Sequence, residues 1–125
     1  IYLAETLSLI TKERFEMVGL IEGRIQMNNR LSHLGYVEVA AAEDHLLLSV
    51  GERVRGHEFH YSSWESEPKT KRVYRVFQKD HEREEGFLYK NVLASYIHLH
   101  FGSNLSVAKR FVRFVAGRRC SNQIK

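Results

Sequence analysis

The sequence predicts an α/β fold, rich in strands and closed by a C-terminal helix. Three observations predict it. Between Phe15 and His100 the apolar residues fall in short alternating or continuous runs, broken by Gly, Asn and charged clusters, which reads as about seven strands with little helix between them. From Ser103 the period changes: Leu105, Ala108, Phe111, Val112 and Val115 share one helical stripe, with Lys109, Arg110 and Arg113 away from it. A chain of 125 residues, 43% hydrophobic and 27% charged, is of a size and composition to bury the core of one soluble domain.

In order, Leu3, Leu7 and Ile10 sit at helical spacing, so Ile1 to Leu9 reads as a short helix already under way. Thr11 to Glu16 is a polar turn. Phe15 to Gly23 reads as a strand with bends or close approaches at Gly19 and Gly23. Arg24 to Ser32 is polar, with Asn28-Asn29 marking a turn, and Gly35 to Ala40 begins the next strand. His45 to Val50 is an apolar strand closed at Gly51-Glu52. Arg53 to Ser62 is a strand carrying a first cluster of histidines. Ser63 to Arg72 holds the one proline, Pro68, and is strongly polar, an exposed loop. Arg72 to Gln78 alternates as a strand, Asp80 to Glu85 is a charged turn, and Gly86 to Lys90 and Val92 to His100 are the last strands. The closing helix takes Ser103 or Asn104 as its cap and ends at Gly117, with Arg118 and Arg119 beside the negative end of its dipole. The tail from Cys120 to Lys125 is expected to fray.

Composition narrows the functional classes. A net charge of +4 and a pI near 9.3 invite a nucleic-acid reading. The C-terminal charges (Lys109, Arg110, Arg113, Arg118, Arg119, Lys125) come with no nucleic-acid motif, however, so a solvated helix face explains them. The one cysteine, Cys120, excludes an internal disulfide framework and fits a reducing cytoplasm. No Cys-x-x-Cys or His-Glu-x-x-His spacing supports a zinc site. Ile1 to Ile10 carries Glu5, lacks a basic leader and is too short to cross a bilayer, so neither a signal peptide nor a membrane helix is expected there. Opening on Ile rather than Met, the chain reads as a piece of something longer.

Four of the seven histidines lie in two short, aromatic-rich runs. In Arg55 to Ser62, alternation puts Gly56, Glu58 and His60 on one face and His57, Phe59 and Tyr61 on the other. In Asn91 to Phe101 it puts Tyr96, His98 and His100 on one face, with Leu93, Ile97, Leu99 and Phe101 toward a core. Imidazole titrates near neutral pH and can accept and return a proton. A lone histidine on a half-buried strand more often only bonds a neighbour; two clusters point to a site. A different class of reading makes His57, His60, His98 and His100 ligands of a metal or tetrapyrrole.

The runs Val54 to Ser62 and Ala94 to Phe101, together with Met17 to Ile21 and Leu34 to Tyr36, resemble the cobyrinate a,c-diamide synthase family. The part concerned is its C-terminal glutamine amidotransferase domain, of the cobyrinate/cobyrate synthase branch of class I. The resemblance runs from Ile1 to about Val115. It implies the C-terminal part of a flavodoxin-like domain over residues 1–117, followed by a basic tail over 118–125.

It also implies a mechanism. The Tyr-x-His motif of the family falls on Tyr96 to His98, making His98 the catalytic histidine. The nucleophilic cysteine of the family sits in a Cys-Gly-Gly turn just before a helix that begins much like Ile1 to Glu5, so it would precede Ile1 and is absent from this chain. Cys120, after the last helix, does not replace it. Many class I relatives carry Glu two places after the histidine; here His100 stands there, which implies a Cys-His dyad. Gly56 to His60 matches a second family motif, and Glu58, His60 and His100 become supporting candidates that orient His98, bind substrate or meet a domain interface.

The parent protein is implied to use Mg-ATP and glutamine, with a separate N-terminal ATP-binding domain and a cobyrinate-like tetrapyrrole as substrate. No phosphate-cradling loop of the Gly-x-x-x-x-Gly-Lys-Ser/Thr type occurs in this chain. Lacking its nucleophile, the isolated chain is expected to be inactive. Close relatives of the same fold amidate cobyrate or a nickel sirohydrochlorin and are the alternatives. No metal, membrane or nucleic-acid partner is expected, and a sheet edge left open could pair with a second copy.

Overall fold

The computed structural model describes residues 1–66, 69 and 71–121. Its strands are β1 (Thr6–Ser8), β2 (Arg14–Glu16), β3 (Arg24–Met27), β4 (His33–Ala41), β5 (Arg53–His60), β6 (Ser62–Ser66), β7 (Arg72–Gln78), β8 (His81–Tyr89), β9 (Val92–Ala94) and β10 (His98–Leu99). A 3-10 turn at Phe101–Ser103 leads into helix α1 (Leu105–Ser121). Strand-rich with one closing helix is what the pattern predicted.

Two sheets result. The larger has the order β10-β5-β4-β7-β8-β9 and is antiparallel throughout. The smaller has the order β2-β1-β3-β6, with β1 and β3 its one parallel pair. The chain crosses from the larger sheet to the smaller between β5 and β6, over the single residue Tyr61. Val37, Val39, Val54, Val73, Tyr74 and Val76 of the larger sheet belong to one buried core cluster, together with Ile97 and Val107. Fully burying a side chain of this kind stabilises the fold by roughly 1.5–3 kcal/mol.

Several expected elements are replaced. Ile1 to Leu9 is not a helix. Glu5 N–H donates to the Gly23 carbonyl, while Ala4 and Leu3 carbonyls accept from Gly19 and Ile21. These pairings with a later segment satisfy the backbone, and three apolar residues at helical spacing cannot carry the cost of nucleating so short a helix. Phe15 to Gly23 is a strand only up to Glu16, and the polar stretch expected at 24–32 contains β3, whose Ile25 is buried.

His45 to Val50 is not a strand either. Asp44 Oδ1 accepts from Val50 N–H at 2.8 Å and Glu52 Oε2 from Ser49 N–H at 2.7 Å. Side-chain bonds of this kind compete with a ladder and fold the segment into a turn that still buries Leu47 and Leu48. Part of the loop expected at 63–72 is β6; Pro68 lies outside the described residues. The charged turn expected at 80–85 is the first half of β8. Its charges pair across to β7, Glu82 accepting from Arg75 at 2.6 Å, and only Lys79 and Asp80 remain as the turn.

Helix α1 starts as expected: Asn104 Oδ1 accepts from Ser106 N–H at 3.1 Å, satisfying one orphan donor of the first turn. Its end and its buried face differ. The helix passes Gly117 and continues to Ser121, so 118–121 are helical, and 122–125 lie outside the described residues. Val107, not the predicted stripe, is the fully buried contact, while Leu105, Phe111, Val112 and Val115 are exposed. The helix is tied to the sheet by its first turns, through Asn104 Nδ2 to the Arg53 carbonyl and an Arg110–Glu52 ion pair. Among the described residues no helix is long and apolar enough to cross a membrane.

Candidate active site

Strand β5 sorts the first histidine cluster as alternation requires. Val54, Gly56 and Glu58 are buried, and Arg55, His57 and Phe59 are exposed. The two-residue edge strand β10 pairs antiparallel with β5, His98 opposite His57 and Leu99 opposite Gly56. Cross-strand partners share a face, so the two imidazoles meet on the outer side, edge to face, with ring centroids 4.8 Å apart and planes at 85°. Both side chains are open to solvent.

Gly56 allows this pairing. A Cβ there would lie 2.7 Å from the His98 carbonyl oxygen and 2.8 Å from Ile97 Cγ2. Gly56→Ala is therefore expected to push β10 off β5, at an overpacking cost of about 1–3 kcal/mol. Thermal unfolding measures this, and an unchanged midpoint contradicts the close approach.

His100 follows on the same side of the sheet. Its N–H donates to the Arg55 carbonyl at 2.8 Å, and its own carbonyl accepts from the Ser103 hydroxyl at 2.7 Å. With His57, Tyr36, Arg55, Phe77 and Lys79 it lines an open groove of about 820 Å³.

Glu58 and His60 lie on the opposite, inner face, away from His98. Glu58, 2% exposed, accepts from Arg83 through Oε2 and faces His60 Nε2 at 2.9 Å through Oε1. His60 Nδ1 is 2.7 Å from the Ser62 carbonyl. Tyr96 stacks on His60 at 4.0 Å and its hydroxyl meets Ser62 Oγ at 2.9 Å. These groups, with His33, Trp64 and Phe87, line a pocket of about 280 Å³.

The electrostatics of the inner pocket follow from burial and pairing. Burial pushes the Glu58 carboxyl up, but the His60 hydrogen bond and the charges of Arg83, His33 and His60 outweigh it and leave the carboxyl below its ordinary value. Burial pushes Glu85 up, against hydrogen bonds from Ser95, Tyr96 and Gly86 that lower it. The two carboxyls act on stability with opposite sign. The contribution of Glu58 is complete above its unfolded value and is lost as pH falls through the depressed folded one; that of Glu85 declines as pH rises from its unfolded value through the raised folded one. Acid unfolding of the native chain is therefore expected to show a loss of stability below about pH 4.3, the ordinary glutamate value, that Glu58→Gln lacks. Identical acid limbs for the two proteins contradict it.

The sheet thus separates residues that alternation along the sequence had grouped together. Tyr96 does not share a face with His98 and His100, because Ser95 to Ile97 form a bend between β9 and β10 and alternation stops there. The orientation of His98 by Glu58 or His60 is replaced by the Glu58–Arg83–His60 cluster. The four histidines weighed as metal ligands do not converge, since His60 is turned inward. Among the described residues no group of three or more His, Cys, Asp or Glu side chains is arranged to hold a metal ion. Arg83 and Glu85 were missed as neighbours of the site, and His57 was singled out only as a metal or tetrapyrrole ligand. Only the β5–β10 and β7–β8 pairings bring them in, and neither register was legible in the sequence.

Comparison with known proteins gives the family context. The sequence model of the CobB/CobQ-like glutamine amidotransferase domain matches residues 1–105. The cobyrinate a,c-diamide synthase of Dehalococcoides mccartyi is 40% identical over 121 residues, covering 93% of this chain and 26% of the relative. The enzyme of the same name from Leptospira interrogans is 39% identical, covering 90% and 26%. That of Priestia megaterium is 38% identical over 98 residues, covering 78% and 21%. The chain spans about a quarter of the length of the curated relatives it matches.

Proposed function

Because this chain belongs to the family of CobB/CobQ-like glutamine amidotransferase domains, we propose that it works as part of the glutaminase of a longer cobyrinate a,c-diamide synthase, with His98 as the proton carrier. The observation that carries the reading is the exposed imidazole of His98, on an edge strand, beside His57 and free of the buried ion pairs of the inner face. An exposed imidazole can meet both a thiol and a substrate amide, which the enclosed His60 cannot.

In this reading a cysteine from outside the present sequence is the nucleophile. His98 takes the thiol proton as the sulfur attacks the side-chain carbonyl carbon of glutamine, then returns it to the departing nitrogen, which leaves as ammonia. Water adds to the thioester with His98 again accepting a proton, the carbon–sulfur bond breaks to release glutamate, and the proton returns from His98 to the sulfur to restore the thiol. Cys120, carried by α1, takes no part. The ammonia amidates carboxylates of a cobyrinate-like tetrapyrrole that a separate ATP-binding domain activates with Mg-ATP. We read the complete glutaminase as a flavodoxin-like class I domain and the protein as cytoplasmic. A nickel sirohydrochlorin or cobyrate remains an alternative tetrapyrrole.

The test is ammonia release from glutamine by the full-length protein. Stoichiometric glutamate and ammonia support the reading; a folded, full-length protein that leaves glutamine intact overturns it.

A further inference from the structure

Strand β10 is too short to hold His98 by itself. It has two residues, sits at a sheet edge and is joined to β9 by the three residues Ser95, Tyr96 and Ile97. A strand of that length offers few ladder bonds, so the direction of the His98 side chain depends on what fixes the link before it.

That link is fixed from β8. Glu85, 7% exposed, accepts from the Ser95 hydroxyl at 2.5 Å through Oε2 and from Tyr96 N–H at 3.1 Å through Oε1. Ser95 Oγ in turn accepts from Ile97 N–H at 2.9 Å, passing the constraint to the residue next to His98. Ile97 is buried in the core, which seats the link from below. Gly86 keeps Glu85 in place: its φ is +79°, and a Cβ there would lie 2.6 Å from Tyr74 Cδ2. A carboxyl is costly to bury, and both oxygens of this one go to the segment leading into His98.

We propose that Glu85 is a positioning residue for His98, acting through Ser95 and Tyr96 on the link that aims the imidazole. This rests on His98 being the proton carrier of a glutaminase. It assigns Glu85 the task expected in the sequence of Glu58, His60 or His100, without direct contact with the histidine. Two hydrogen bonds to one bend restrain both its position and its rotation, which a single bond does not.

The experiment uses the full-length protein and four variants, Glu85→Ala, Glu85→Gln, Ser95→Ala and His98→Ala. Glutamine hydrolysis is followed as kcat and KM, and amidation supported by added ammonium reports an intact synthase. Glu85→Ala is expected to lower kcat about ten- to hundredfold, the cost of a misplacement on the order of 1 Å, with little change in KM. Glu85→Gln should restore most of the rate, because its amide oxygen can accept from Tyr96 and its NH₂ can donate to Ser95. Ser95→Ala should lower kcat by a smaller factor, and it carries the test if Glu85→Ala does not fold. Wild-type kcat in both Glu85→Ala and Ser95→Ala, with His98→Ala inactive, overturns the proposal alone. Wild-type activity in His98→Ala overturns the glutaminase reading beneath it. A fall in Glu85→Ala that Glu85→Gln does not recover, or a rise in KM at constant kcat, also contradicts positioning.

Discussion

His98→Ala in the full-length protein is expected to lower glutamine hydrolysis by about 10²–10⁴-fold, the usual contribution of a positioned general acid–base. The loss should fall on kcat, because in the proposed role the imidazole acts on protons in flight and not on substrate binding. Stability should hardly move: the side chain is exposed, and surface substitutions of this kind stay within about 0.5 kcal/mol. Ammonium-supported amidation should persist, since ammonia then bypasses the step. A His98→Ala protein with intact hydrolysis, or one that loses hydrolysis only because it unfolds, contradicts the account. His57→Ala, by contrast, removes a neighbouring ring and no proton carrier, and its effect should be the smaller of the two.

The second large effect is on folding. Glu58 is buried between Arg83 and His60, and Glu58→Ala leaves the Arg83 guanidinium and the His60 ring without their carboxylate partner. Removing one member of a buried pair costs about 3–5 kcal/mol. For a domain of this size that lowers the midpoint of thermal unfolding by on the order of 10–20 °C. Glu58→Gln keeps an acceptor and the shape of the side chain, so its loss should be smaller, and the difference between the variants separates charge from packing. A Glu58→Ala midpoint within a few degrees of the native one contradicts the pairing. Because Glu58 faces inward, a kinetic effect of its loss should track the loss of folded protein.

What was legible in the sequence was what period and local chemistry encode. The alternation of Arg53 to His60 correctly divided Glu58 and His60 from His57 and Phe59. Asn104 announced the start of α1, and Ile97, Leu99 and Phe101 do turn to the core. What was not legible depends on pairings distant in the chain. Ile1 to Leu9 has helical spacing, yet its backbone partners are Gly19, Ile21 and Gly23. The charges of 81–85 look like a turn until Arg75 supplies a cross-strand partner. Alternation carried through Asn91 to Phe101 put Tyr96 beside His98, but Glu85 and Ser95 bend the chain there and turn Tyr96 onto His60. The helix stripe failed for a related reason. Periodicity marks an apolar face but not which turn meets the sheet, and here Val107 does.

The central claim, that His98 carries the proton in glutamine hydrolysis, is tested most directly by chemical rescue. Full-length His98→Ala is assayed for ammonia release with increasing concentrations of free imidazole. The account predicts that imidazole restores hydrolysis in a saturable way, with a pH dependence that follows the added base, and leaves the native protein unaffected. A folded His98→Ala protein that releases ammonia at the native rate without imidazole, or one that no imidazole concentration restores, contradicts it.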